Sequence, residues 1–295
     1  DGIHAENADD TTRGFVYIAG GTVTVTCDGD GVDAGATAQI KNGILTITAG
    51  GGSANATQKK EEMFGPGGWN QSSSTTTDEE STSAKGIKSA GDLTISGGSI
   101  TVDAADDALH SNANATISGG SFTLATGDDG LHADDNTAIS GGTITISQSY
   151  EGIEGKTIAI SGGNITLTAS DDGLNAAGGN DQSGFGGGMR PDTFSSGDSD
   201  CSITISGGKI IINADGDGID SNGNLYVTGG ETYVSGPTNG GNGALDYDGE
   251  ATITGGIVVA AGSTGMAQNF SDSSTQGAML VNVSSNSATG EVVLK

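Results

Sequence analysis

A Gly-Gly pair recurs along most of the chain at a nearly constant interval, and this repeat constrains the fold more than any other feature of the sequence. Successive steps between pairs are 22, 22, 21, 45, 22 and 26 residues, and the step of 45 is one repeat plus an insertion. A fixed period of this length is typical of a solenoid, in which each repeat packs only against its neighbours. The pairs stand at residues 97–98, 119–120, 141–142, 162–163, 207–208, 229–230 and 255–256.

Within each repeat, apolar residues alternate with Thr or Ser, which is the period-2 signature of β-strands. Each repeat holds three such strands, of which Gly130–Ala133, Leu93–Ser96 and Ile100–Val102 are examples. The Gly-Gly pair separates the second strand from the third, where a tight corner requires a positive φ. The sequence therefore predicts an all-β fold, a right-handed single-stranded parallel β-helix of about nine rungs with about 22 residues each. A leucine-rich repeat would need the L-x-x-L-x-L pattern, which is absent.

The apolar positions predict three inward-facing columns that form the core of the solenoid. The first strands contribute Ile3, Val32, Ile87, Leu109, Leu131, Ile153, Leu174, Ile219 and Leu245. The second strands contribute Ile95, Ile117, Ile139, Ile160, Ile205, Val227 and Ile253. The third strands contribute Ile100, Phe122, Ile144, Ile165, Ile210 and Ile257.

We expect one elongated domain over residues 1–262, with insertions near residues 50–84 and 178–200. Residues 263–295 lose the repeat and are predicted to cap the open end of the stack. Both insertions flank the sheet of first strands. They are either plain surface loops or the walls of a binding groove over that sheet.

Aromatic residues are few, and four of them are candidates for stacking on sugar rings. Trp69, the only tryptophan, lies in the first insertion. Tyr226 and Tyr247, with Tyr233 between them, form a second candidate platform in the late rungs. A flat ring with a polar handle suits a sugar. Ordinary packing is the alternative for each tyrosine.

Acidic residues cluster at the corner that precedes the first strand of each rung. Adjacent rungs lie about 4.8 Å apart, and two like charges near 4 Å repel by roughly 4 kcal/mol at an effective dielectric of 20. Ca²⁺ binds oxygens at about 2.3–2.6 Å, so an ion between carboxylates of adjacent rungs would contact both. The sequence predicts a calcium-binding column, with a solvated acidic ridge as the alternative. Its proposed ligands are Asp28, Asp30, Asp106, Asp107, Asp128, Asp129, Glu151, Asp171, Asp172, Asp215 and Asp217.

The residue after the apolar position of each first strand is polar and is predicted to face outward. His110, His132 and Glu154 stand there in three successive rungs, and Lys88 stands one rung before His110. Such a ladder can hydrogen-bond the hydroxyls and carboxylates of a linear polysaccharide, so these four residues are predicted to bind carbohydrate. The two histidines alone lack the third and fourth ligands that zinc prefers.

The net charge is −27, from 37 acidic and 10 basic residues. Nucleic acid and anionic membrane are poor partners for such a surface. The chain has no stretch of 18 apolar residues, which argues against membrane insertion. Cations and glycans remain as partners, and we expect a monomer. The chain begins within a repeat motif and stops in a strand-like segment, so we expect that a leader or anchor lies outside it.

The pattern DDG-L/I-H/N-A followed by ISGG-x-I-T-I, with Gly-, Met- and Phe-rich insertions, resembles that of the bacterial carbohydrate-binding-domain-containing β-helix proteins. The resemblance extends over about residues 1–262. It implies a pectate-lyase-like β-helix, a secreted or cell-surface location, binding of cellulose and acidic sugars, and calcium at the Asp-Asp corners. Three rungs depart from the motif at this corner, where Lys85, Tyr150–Glu151 and Asn242 stand.

The function expected from these observations is non-catalytic binding of plant cell-wall polysaccharide, either cellulose or polygalacturonate-type acidic glycans, by a calcium-stabilised β-helix. The first alternative is a calcium-dependent pectate-type lyase with Lys88 or Lys156 as its base. The carboxylates around these lysines should hold them protonated, which argues against a base. A structural surface adhesin without a glycan ligand is the third possibility.

Overall fold

The structure, a computed structural model, describes residues 1–7, 9–10, 13–56, 83–177 and 200–283. These ranges contain 25 β-strands, one short 3₁₀ helix at Ser53–Asn55 and no α-helix. Strands of successive rungs pair in parallel throughout. The predicted all-β parallel solenoid is confirmed. None of the described residues belongs to a helix long and apolar enough to span a membrane.

The first strands of the rungs form a nine-stranded parallel sheet, the first face, within the described residues. Each of its strands is only two or three residues long. They are Ile3–Ala5, Val32–Ala34, Ile87–Ser89, Leu109–Ser111, Leu131–Ala133, Ile153–Glu154, Leu174–Ala176, Ile219–Ser221 and Asp246–Tyr247.

The second and third strands form the second and third faces, which join into one 16-stranded sheet. Two long strands, Thr157–Ala169 and Ser202–Ala214, run through both faces and connect them. The other second-face strands are Val16–Ile18, Ala38–Ile40, Leu93–Ile95, Ala115–Ile117, Asn136–Ile139, Asn224–Val227 and Ala251–Ile253. The other third-face strands are Thr22–Cys27, Ile44–Ala49, Ser99–Ala104, Ser121–Thr126, Thr143–Gln148, Glu231–Ser235 and Ile257–Ala261.

The core consists of the predicted columns, stacked in register. Leu109, for example, pairs with Ile87 on one side and Leu131 on the other, and Phe122 in the third column is almost fully buried. The prediction was wrong for Ile257, whose side chain is 50% exposed. This residue pairs with Glu231, so that Val258 occupies the inward side of the last third-face strand.

The Gly-Gly corners have the predicted conformation. The second glycine of each pair has a positive φ, for example 111° at Gly120 and 81° at Gly230. The corners also stack closely on one another. A Cβ added at Gly230, for example, would lie only 2.8 Å from the backbone carbonyl carbon of Gly207. Both constraints favour glycine.

Residues 263–283 contain no strand and run along the last rung. Ser271 N–H donates to the Ala251 carbonyl at 2.7 Å, and Phe270 packs against the core. Residues 57–82 and 178–199, which make up most of the two predicted insertions, lie outside the described residues, as do 284–295.

Candidate functional site

The acidic corners are deeply buried where the middle rungs stack. Asp107 and Asp129 have no exposed surface, and Asp30, Asp128, Glu151 and Asp172 are also buried. Asp28 and Asp215 are exposed, while Asp106, Asp171 and Asp217 are half-buried. The predicted column therefore has a more exposed outer row and a buried inner row. We use the name inner row for Asp30, Asp107, Asp129, Glu151 and Asp172.

The inner row forms a ladder of carboxylate-to-amide hydrogen bonds that sequence reasoning missed. Asp107 Oδ1 accepts the N–H of Asp129 at 3.0 Å, and Asp129 Oδ1 accepts the N–H of Glu151 at 3.3 Å. Asp172 Oδ1 accepts the N–H of Asp217 at 2.5 Å. Near the start of the chain, Asp30 Oδ1 accepts the N–H of Lys85 at 2.8 Å. Each carboxylate thus fixes the corner of the next rung, which gives the acidic repeat a structural role.

Lys85 replaces a carboxylate in this row and supplies a counter-charge. Its Nζ lies 2.9 Å from Asp106 Oδ1 and 2.6 Å from Asp107 Oδ2. Burial alone would lower the pKa of Lys85, but the charges of Asp107 and Asp106 raise it well above its usual range. Burial would likewise raise the pKa of Asp107, yet Lys85 and then His110 hold it well below its usual range.

His110 and His132 lie beside the inner row with their rings stacked, 4.7 Å between centroids and 10° between planes. The Nδ1 of His110 is 2.8 Å from Asp107 Oδ2. The Nδ1 of His132 is 2.5 Å from Glu154 Oε2 and 3.3 Å from Asp129 Oδ2. Burial would lower the pKa of His132, but its hydrogen bonds to Asp129 and Glu154 raise it to about 12. The same contact lowers the pKa of Glu154 against the effect of burial.

The expectation of a solvent-exposed polar ladder is wrong for these residues. His110 is 3% exposed, His132 0% and Glu154 7%. Asp107 and Asp129 stand three residues before the two histidines, and their carboxylates contact the histidine rings. Lys88 is more open, with 28% of its side chain exposed.

One rung further on, the inner row leaves buried oxygens without partners. Glu151 Oε2 and Asn175 Oδ1 are buried and accept no hydrogen bond. Burial, followed by the charges of Asp129, Glu154 and Asp172, raises the pKa of Glu151 well above its usual range. Burial also raises the pKa of Asp172, as do Asp171, Asp220 and Asp217. This part of the column has an excess of negative charge.

The neighbouring rung extends this oxygen-rich group. Asp172, Asp217 and Asp220 each offer a carboxylate oxygen, and the three oxygens lie within 4.8 Å of one another. Asn175 and Asp220 pair across the first face. Neither was predicted as a metal ligand, although both stand at the polar ladder position. We call Glu151, Asp172, Asn175, Asp217 and Asp220 the oxygen cluster.

The two candidate lyase bases are both engaged in ion pairs. Lys88 Nζ lies 3.2 Å from Asp30 Oδ2, and Lys156 Nζ lies 3.5 Å from Asp200 Oδ2. The first pair is mostly buried and the second is exposed. In each case the Nζ atom that would have to abstract a proton is already in contact with a carboxylate.

The predicted tyrosine platform does not form. Tyr247 is on the first face, where it packs against the core, whereas Tyr226 is on the second face and Tyr233 on the third. The hydroxyl of Tyr247 donates to the Asn269 carbonyl. The three tyrosines are close in sequence, but they belong to strands of three different faces of the solenoid. Trp69 lies outside the described residues.

Comparison with known proteins gives one family match. A family model described as "Carbohydrate-binding domain-containing protein" matches residues 1–130, which is less than half of the chain. No curated protein and no solved structure matches. The family match supports carbohydrate binding in general.

Proposed function

We propose that this chain is a non-catalytic module that binds plant cell-wall polysaccharide, cellulose or a polygalacturonate-type glycan, through a calcium-stabilised β-helix. The match to a carbohydrate-binding family over residues 1–130 carries the glycan part of the proposal. Lys88 and Lys156, the two predicted lyase bases, each have Nζ in contact with a carboxylate, which supports binding over lyase chemistry.

The calcium part is supported by an imbalance of buried charge. In the described ranges, seven carboxylates are buried, against one lysine and two histidines. A buried charge without a partner costs several kcal/mol, by order of magnitude. The row around Asp107 has Lys85 as its cation, so the proposal does not need an ion there.

The oxygen cluster is the place where the residues present fit a calcium ion. Its donors are all carboxylate or amide oxygens, the ligands that Ca²⁺ prefers. Glu151 Oε2 and Asn175 Oδ1 are buried and without a hydrogen-bond donor, as expected of atoms that coordinate a cation. A bound ion would supply the missing positive charge and link the corners of successive rungs.

Glycan binding is tested by retention of the protein on insoluble cellulose and in affinity gels that contain polygalacturonate, each with and without calcium. We expect retention by at least one glycan. Absence of retention on all of them would contradict the proposal and favour the adhesin. Steady release of unsaturated sugar from polygalacturonate, abolished in Lys88→Ala, would favour the lyase instead.

Calcium binding is tested by melting the protein with calcium and after its removal. We expect the melting temperature to fall without calcium, because a ligand that binds only the native state stabilises it. Glu151→Gln should lose most of this difference. Asp248→Asn, which alters an exposed carboxylate near the last first-face strand, should keep it. Equal melting of the wild type with and without calcium would contradict the proposal.

A further inference from the structure

The third face of the solenoid differs from the rest of this acidic chain. At the centre of its strands, one threonine stands above another through six successive rungs, all of them exposed. The row is continuous because, in every strand pair of this run, the threonine of one strand is paired with the threonine of the next. The residues are Thr24, Thr46, Thr101, Thr123, Thr145 and Thr166. The row is uncharged and presents hydroxyl and methyl groups.

A cleft of about 530 Å³ opens where these third-face strands end. One side is the segment from Ser53 to Ala56, and the other is the set of corners that follow the strands of three rungs. The volume lies in the usual range for a small-molecule site. Of the described residues that line the cleft, none is charged, in a chain of net charge −27.

The lining suits a neutral sugar. Ser53, Gln148, Ser149 and Ser170 offer hydroxyl or amide groups, and among the described lining residues Tyr150 contributes the aromatic ring. The hydroxyl of Ser149 donates to the Thr168 carbonyl at 3.2 Å, and that of Ser170 donates to the Ser149 carbonyl at 3.2 Å. Both hydroxyl oxygens keep lone pairs that can accept hydrogen bonds from sugar hydroxyls. Tyr150 is half-buried and combines an apolar ring with a polar hydroxyl, as sugar-stacking residues do.

We propose that this cleft binds a neutral hexose unit of a polysaccharide and that the threonine row continues the binding surface beyond it. The inference rests on the proposed function and adds the site and the class of glycan. The acidic corner adjoins the cleft, since Tyr150 N–H donates to the Asp128 carbonyl and Asp171 follows Ser170. A uronic acid in the cleft would meet these negative charges, whereas an uncharged hexose would not.

The test is a calorimetric titration of the full chain with cellohexaose and, separately, with an oligogalacturonate, in calcium. Tyr150→Ala removes the ring, and Ser170→Tyr fills the cleft from an exposed position. We expect each to raise the Kd for cellohexaose about tenfold or more, which corresponds to the loss of a stacked ring together with its hydrogen bonds. Tyr17→Ala, at an exposed tyrosine on the second face, is the matched control and should leave the Kd unchanged.

The outcomes separate this inference from the proposed function. If the wild type binds cellohexaose and both cleft variants bind it equally well, the cleft assignment is wrong while carbohydrate binding stands. If the cleft variants weaken only oligogalacturonate, the assignment to a neutral sugar is wrong. If the wild type binds neither these oligosaccharides nor any insoluble glycan, the proposed function itself fails. An unchanged melting temperature in Ser170→Tyr shows that a loss of binding does not come from unfolding.

Discussion

At the scale of single residues, the carboxylates of the acidic corner have two roles that the sequence does not distinguish. They accept hydrogen bonds from the next rung, and they carry buried charge that a cation must balance. The carboxylates of Asp107, Asp129 and Asp172 each accept a backbone N–H from the next rung, so they stabilise the stack directly. The same burial makes their charges costly. Lys85 offsets that cost at one end of the column, and the proposed cation would offset it at Glu151 and Asp172.

Of the residues at this corner, we expect Lys85 to contribute most to the free energy of unfolding. Lys85→Met leaves Asp106 and Asp107 without their cation, and breaking a buried pair in this way costs about 3–5 kcal/mol. Lys156→Met is the matched control, because its ion pair with Asp200 is exposed and pairs of that kind contribute about 0–1 kcal/mol. Urea unfolding of both variants measures the difference. Similar losses in the two would show that Lys85 does not neutralise the corner.

At the scale of elements, the repeat builds a solenoid because each rung places the same residue type at the same position along the coil. The apolar columns stack in register and the second glycine of each pair closes the corner between the second and third faces. In two rungs, the strands Thr157–Ala169 and Ser202–Ala214 continue through this corner. The Gly-Gly pair therefore shapes a continuous strand as well as a break between strands.

The corner glycines provide a test of this view. Gly230→Ala introduces a Cβ at a φ of 81° and within 2.8 Å of the Gly207 backbone. The positive φ alone costs about 1–2 kcal/mol for a residue with a Cβ, and the backbone contact adds to it. Gly20→Ala has open space around its Cβ and should be nearly neutral. Chemical unfolding compares the two, and a neutral Gly230→Ala would contradict the stacked-corner interpretation.

At the scale of the whole molecule, the buried carboxylates determine how stability depends on pH. The pKa values of Asp129, Glu151 and Asp172 are raised in the folded state, chiefly by burial. Their contribution is fully present below the unfolded pKa of about 4 and is lost as pH rises through the folded pKa. His132 acts in the same direction, from about pH 6.5 toward its folded pKa of about 12. Asp107 and Glu154 have lowered pKa values, so their contributions are lost only below about pH 4.

We therefore expect the calcium-free protein to melt at a higher temperature at pH 5 than at pH 8. Calcium should reduce or reverse this trend, because protons compete with the ion for the same oxygens. Thermal melts at the two pH values, with calcium and without it, measure both effects. A calcium-free protein that gains stability between pH 5 and pH 8 would contradict the buried-charge argument.

The sequence by itself determined the rung. Alternation of Ile, Leu and Val with Thr and Ser specifies strands, the Gly-Gly pair specifies a corner, and the period places both at the same height in each rung. These signals are local, which is why the core columns were predictable down to single residues such as Leu109 and Phe122. Ile257 was the exception, because it directly follows the Gly-Gly pair and pairs with Glu231, whereas the next residue, Val258, stands at the inward position of the strand.

The tertiary structure alone decided which polar residues meet. Period 2 says that His132 faces away from the core, but only the stack of rungs shows that Asp129 and Glu154 enclose it. The ion pair of Lys85, the unpartnered oxygens of Glu151 and Asn175, and the cleft beside Tyr150 all depend on residues about one rung or more apart in sequence. Side-chain directions across that separation are set by packing between rungs, and a local sequence pattern does not encode them.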